Sequence, residues 1–224
     1  MWQQQVIAYC ERTDLSYWSE PMNAITNSAF LIAAAVVWPI VRAVQGRGRG
    51  LAHALVIVLA VIGIGSFLWH THATRWSGLA DVLPIMVFIL IYIFAATRDL
   101  LRLGPVWAGG GVLAFFPYAA AVVWLAGQGA LVLGLPAPGA NGAYFSVVVL
   151  VAMYGLVMLR APHSATGRGL LIGAAILTVS LGFRIADDGV CASFALGTHF
   201  LWHVLNGFML GWMIRLYCLH LRRV

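Results

Sequence analysis

Long apolar runs separated by short polar punctuation constrain this chain more than any single motif does. The runs occupy residues 21–41, 51–70, 79–97, 105–126, 143–160, 169–186 and 194–219. As helices rising about 1.5 Å per residue, runs of this length cross a hydrocarbon layer about 30 Å thick. A strand of a membrane barrel would need only about 10 residues in strict alternation, which these runs lack. Arginine, glycine and proline mark the breaks: "RAVQGRGRG" after the first run, "RDLLRLGP" after the third, "GQGALVLGLPAPGANG" after the fourth and "RAPHSATGRG" after the fifth. With 62% hydrophobic and 9% charged residues, the chain has too little polar surface for a water-soluble fold. The expectation is all-α: a seven-transmembrane-helix bundle forming one membrane domain over residues 1–224.

Charge placement orients that bundle. All 13 basic residues are arginine. The absence of lysine excludes a retinal Schiff base. With the N-terminus outside and the C-terminus inside, the inner segments hold ten arginines: Arg42, Arg47, Arg49, Arg98, Arg102, Arg160, Arg168, Arg215, Arg222 and Arg223. The outer ones hold three, Arg12, Arg75 and Arg184, and short arginine-rich loops stay on the inner side. Six of the seven acidic residues then fall outside, Asp99 being the exception. The net charge of +6 is thus a signature of topology, and no basic aromatic surface suggests nucleic acid. Residues 1–20 are polar, without the apolar core of a cleaved signal peptide. Abundant Ala, Gly and Arg point to a GC-rich bacterial genome, hence an inner-membrane protein whose outer layer faces the periplasm.

Several polar groups share that outer layer. Ser66 and His70 are four residues apart at the outer end of the second run, on one helix face. Asp81 opens the third run, and His199 and His203 repeat the four-residue spacing near the start of the seventh. Three imidazoles suit zinc in its open, catalytic arrangement. A carboxylate beside them can shuttle a proton, and a serine hydroxyl can stabilise an oxyanion. An HxxxH pair alone also reads as two satisfied core histidines; ionisable groups at membrane depth favour function. His72 reads as a loop residue beyond the helix end, and His53, His163 and His220 as inner-side groups. Asp187 and Asp188 read as structural partners of Arg184 or Arg12.

The stretch "YCERTDLSYWSEPMNAITNSAF" is dense in oxygen ligands, and Glu11, Asp14 and Glu20 suit Ca²⁺ or an acidic outer tail. Cys10 and Cys191 lie on the outer side, where they either bridge or remain two thiols; Cys218 lies on the inner side.

Together these residues resemble the alkaline ceramidase family, within a superfamily that includes the progestin and adipoQ receptors. "SFLWH", "LADVLP" ten residues on, "HFLWH", "EPMNAITNSAF" and "FRIADDGVC" carry the likeness, which spans nearly the whole chain. The resemblance implies zinc on His70, His199 and His203, an active-site Ser66 and Asp81, and a Cys10–Cys191 disulfide. It also implies a calcium loop over residues 8–20, with Glu11, Glu20 and the Tyr9 carbonyl as ligands, Asp14 compensating for departures at Ala8 and Thr13. The expected function is zinc-dependent hydrolysis of the amide of ceramide or a similar N-acyl membrane lipid, giving a fatty acid and a sphingoid-type base. The alternatives are a heptahelical receptor or sensor with a structural zinc, and a haem carrier using the same histidines.

Overall fold

The computed structural model describes residues 1–139, 141–160 and 162–222; Arg223 of the charge count lies outside them. The regular structure among these residues is helical, apart from one isolated antiparallel bridge between Gln5 and Thr74. In chain order, α1 spans Pro21–Arg42, α2 Arg49–His72, α3 Arg75–Leu100, α4 Gly104–Val132, α5 Asn141–Val157, α6 Ser164–Val190 and α7 His199–Leu221. Six of these are long and apolar enough to cross a membrane, consistent with a multi-pass membrane protein. The exception is α5, whose 17 residues give a rise of about 25 Å, short of a full bilayer core.

Helix ends differ from the apolar runs because capping, not hydropathy, sets them. α1 is two helical segments, Pro21–Thr26 and Ser28–Arg42, that meet at Asn27. α2 continues through His72 and stops where Ala73 takes a left-handed conformation at φ 46°. His72 is therefore helical, and its ring packs edge-on against Tyr17. α3 begins at Arg75, capped by reciprocal bonds between Thr74 and Ser77, which moves Asp81 into the helix's second turn. α7 begins at His199 itself, not several residues earlier. At its C-terminal end α3 loosens into one π-helical turn, Ala96–Leu100.

α2 and α3 pack closely where the C-terminal part of α2 meets the start of α3. A Cβ on Gly65 would overlap the Ala80 carbonyl oxygen, so only glycine lets the two backbones meet there. At the far end of α3 Asp99 is buried among partners, two of them arginines. It accepts from Arg98 (2.7 Å), Arg47 (3.1 Å) and the Tyr217 hydroxyl (2.6 Å), tying together α3, the α1–α2 loop and α7.

The N-terminal segment straps across the end of the bundle that holds the α2–α3 turn and the C-terminus of α6. Its backbone bonds the α2–α3 turn, Val6 to Ala73 at 2.8 Å and Arg75 to Gln4 at 3.1 Å. Cys10 and Cys191 form a disulfide with Cα atoms 5.3 Å apart, fastening the strap to the C-terminal end of α6.

Candidate metal centre

His70 arrives on the last turns of α2, and His199 and His203 on the first two turns of α7. All three are 1% exposed, and their ligand atoms lie within 4.8 Å of one another. Ring centroids are 4.6 Å apart for His70–His203 and His199–His203, and 5.2 Å for His70–His199. Among the described residues this is the group of His, Cys, Asp and Glu side chains that could hold a metal ion.

Hydrogen bonds outside the cluster fix the free nitrogens. Glu20 Oε2 lies 2.6 Å from His70 Nδ1; a carboxylate accepts only, so Nδ1 carries the proton and Nε2 presents its lone pair. The Thr26 hydroxyl donates to Met22 O at 2.8 Å, so it accepts at 3.0 Å from His203 Nδ1, freeing that ring's Nε2. His70 Nε2 and His199 Nδ1 are buried without a hydrogen-bond partner. Buried unpaired nitrogens are costly, and an ion between them would satisfy both. The donor set of three neutral imidazoles suits zinc. It does not suit a haem, because rings this close leave no room for a macrocycle between any two.

Ser66 and Asp81 join this layer. The Asp81 carboxylate faces the Ser66 hydroxyl and lies within electrostatic reach of His70 and Arg184. Ser66 is buried and Asp81 half-buried. The close approach at Gly65 holds α2 and α3 at the separation this pairing needs.

Arg184 is a site residue that the spacing arguments missed. From α6 its guanidinium lies over the rings of Tyr144 and Trp202, each at 5.3 Å, and Tyr9 at 5.8 Å. It donates to Asn141 Oδ1 at 3.0 Å and to the Tyr9 hydroxyl at 3.2 Å. A charge in the middle of "LGFRIADD" was the available signal, since an ionisable group inside a span is a functional candidate by default. Tyr9 stacks on His199 with centroids 3.7 Å apart, roofing the histidines. Burial pushes its phenol above the ordinary value, and nearby Arg184 only partly offsets this, so the ring stays neutral.

The oxygen groups expected to bind calcium are already engaged. Glu11 accepts from the backbone N–H groups of Met22 (2.7 Å) and Asn23 (2.8 Å), covering the start of α1. Asp14 Oδ1 accepts from Ser16 N at 2.8 Å, and the Tyr9 carbonyl from Arg12 N at 3.2 Å. Glu20 pairs with the Arg12 guanidinium, His70 and Asn23. Burial pushes the Glu20 carboxyl up, but His70 and Arg12 together hold it below the usual carboxylate range. These oxygens, held as they are, do not fit calcium.

Asp187 is structural, though its partners are not the expected arginines. It accepts backbone N–H groups from Thr198 (2.7 Å), His199 (2.9 Å) and Cys10 (3.1 Å). One carboxylate thus caps α7 where it carries the clustered histidines and holds the strap beside its disulfide.

The helices that carry the cluster also enclose an apolar cavity. Trp202, next to His203 in the chain, lines it together with Tyr144, Phe30 and Ile85. Ile89, Val147, Leu177, Met209 and Leu210 continue it toward a second chamber bounded by Tyr92 and Met213.

No protein-family model matches the chain, and no curated relative matches it in sequence.

Proposed function

We propose that this chain is an intramembrane zinc-dependent amide hydrolase acting on ceramide or a similar N-acyl lipid, as its resemblance to the alkaline ceramidases implies. The observation that carries this reading is the cluster of three buried histidines, two of them with unpaired ring nitrogens, beside Ser66 and Asp81 and among helices that also enclose an apolar cavity. All seven helices span the membrane in this reading, with α5 the short member. The arginine asymmetry puts the N-terminus outside and the C-terminus inside, so the site faces the periplasm of a bacterial inner membrane.

His70, His199 and His203 would hold the zinc, which supplies a Lewis acid for a carbonyl oxygen and makes water more acidic. The apolar cavity binds the acyl chain and brings its amide to the histidine layer. Ser66 Oγ donates a hydrogen bond to the carbonyl oxygen as negative charge develops there. An Asp81 carboxylate oxygen accepts a proton from the attacking water and returns it to the departing amine nitrogen. Arg184 sets a fixed positive charge beside Asp81, and Tyr9 excludes bulk water from above.

The test is hydrolysis of a labelled ceramide and of a membrane lipid extract by purified protein, with elemental analysis for zinc. Wild type should release fatty acid, and His70→Ala and Asp81→Ala should not. Zinc-loaded wild type without turnover on any N-acyl lipid would favour the sensor reading.

A further inference from the structure

The oxygens of residues 8–20 surround a cation that belongs to the chain. Arg12 is buried, and its side chain is 0% exposed. Its Nε pairs with Glu20 Oε1. One terminal nitrogen donates to the carbonyls of Asp14 (3.2 Å) and Ser16 (3.1 Å), and the other to the carbonyl of His70 (2.8 Å). A guanidinium has five N–H groups in a planar fork, and these bonds use all but one.

Two of the four acceptors lead to the same histidine. Arg12 holds the His70 backbone directly, and it holds Glu20, whose other oxygen accepts from His70 Nδ1. Arg12 thereby sets both where the His70 ring starts and which nitrogen it offers.

We propose that Arg12 is the resident cation of the N-terminal loop, making the loop independent of calcium, and that it is a positioning residue for His70. This rests on the three histidines being a metal centre, and not on the identity of the substrate. Calcium needs six to eight oxygens at roughly 2.3–2.6 Å. Here it would have to take oxygens from Arg12 and strand a guanidinium between buried groups, and an unpaired buried charge is strongly destabilising. A built-in cation also responds differently from an ion: it cannot dissociate, so the loop is closed at any calcium level.

The experiment uses the full chain in detergent with its resident metal. Calcium is titrated calorimetrically to millimolar concentration, and Tm is compared in calcium and in metal-depleted buffer. Wild type should give no saturable heat and the same Tm in both. Metal release to a chromogenic chelator is then timed for wild type, Arg12→Lys and Arg12→Ala. Release should be about tenfold faster or more in Arg12→Ala, in line with the usual effect of removing a partner of a ligating histidine. Arg12→Lys, which keeps the charge but not the fork, should lie between. Saturable calcium binding by wild type that Glu20→Gln abolishes would overturn the proposal. So would release at the wild-type rate from Arg12→Ala. If Arg12→Ala does not fold, Arg12→Lys and the wild-type titration decide the matter. Wild type without any transition metal would refute the histidine centre itself, a distinguishable failure.

Discussion

Replacing Glu20 with glutamine removes one charge and almost no volume, so it isolates the electrostatics behind the metal centre. The native carboxylate accepts from His70 Nδ1 at 2.6 Å and Asn23 Nδ2 at 3.1 Å, and pairs with Arg12. All four residues are at most 3% exposed. A glutamine keeps one acceptor oxygen and aims an N–H₂ group at a remaining donor. Bonds to charged groups contribute about 1.5–3 kcal/mol and neutral ones about 0.5–1.5 kcal/mol, so the His70 and Arg12 bonds each weaken by roughly 1 kcal/mol or more. Leaving Arg12 without a carboxylate raises the total folding loss to about 3–5 kcal/mol. Metal affinity should fall about 10–100-fold, which is about 1.4–2.7 kcal/mol, because the His70 tautomer and orientation are no longer enforced. Competition with a calibrated chelator measures the dissociation constant, and thermal unfolding with and without metal separates the two losses. A dissociation constant within twofold of wild type, with unchanged metal-free Tm, would refute the assigned role of Glu20.

Three further outcomes follow from the same contacts. Gly65→Val should force α2 from α3 and part Ser66 from Asp81; overpacking of this kind costs about 1–3 kcal/mol, and lipid turnover should drop while bound metal is retained. Burial raises the Glu11 carboxyl above its ordinary 4.5, so its contribution is favourable below that value and is lost as pH rises through the raised one. The Tm of wild type relative to that of Glu11→Gln should therefore decline as pH rises from 4 to 8. Cys10→Ser should lower stability by about 2–4 kcal/mol, and reductant should bring wild type to the same Tm without affecting the variant.

What could be read from the chain was what depends on local spacing. Apolar run length located all seven helices, six of them long and apolar enough to cross a membrane, because such helices are marked by hydropathy alone. The four-residue repeats of Ser66–His70 and His199–His203 put each pair on one helix face, and their positions at span ends set a common depth. Helix ends escaped that logic. The left-handed turn at Ala73 and the Thr74–Ser77 cap depend on the strap bonding across the turn, so His72 and Asp81 shifted from loop and helix start into helices. Arg184 escaped it too, because its aromatic surroundings come from the strap, α5 and α7. Arg12 was legible only as an outer arginine and a candidate partner of Asp187 or Asp188; its burial depends on acceptors from residue 14 to residue 70.

The disulfide also bears on the order in which this protein is made. Its two cysteines are 181 residues apart, so the strap waits for almost the whole chain before it can be fastened. Tyr9, Arg12 and Glu20 precede the first helix, whereas His199 and His203 belong to the last one. During synthesis His70 is made long before His199 and His203, so neither the histidine cluster nor the closed roof exists while α2 to α6 are being added. Under the proposed function, a chain still lacking α7 is inert toward the lipids around it. Cluster and roof are completed together, once α7 is in place and the disulfide has sewn the strap to α6.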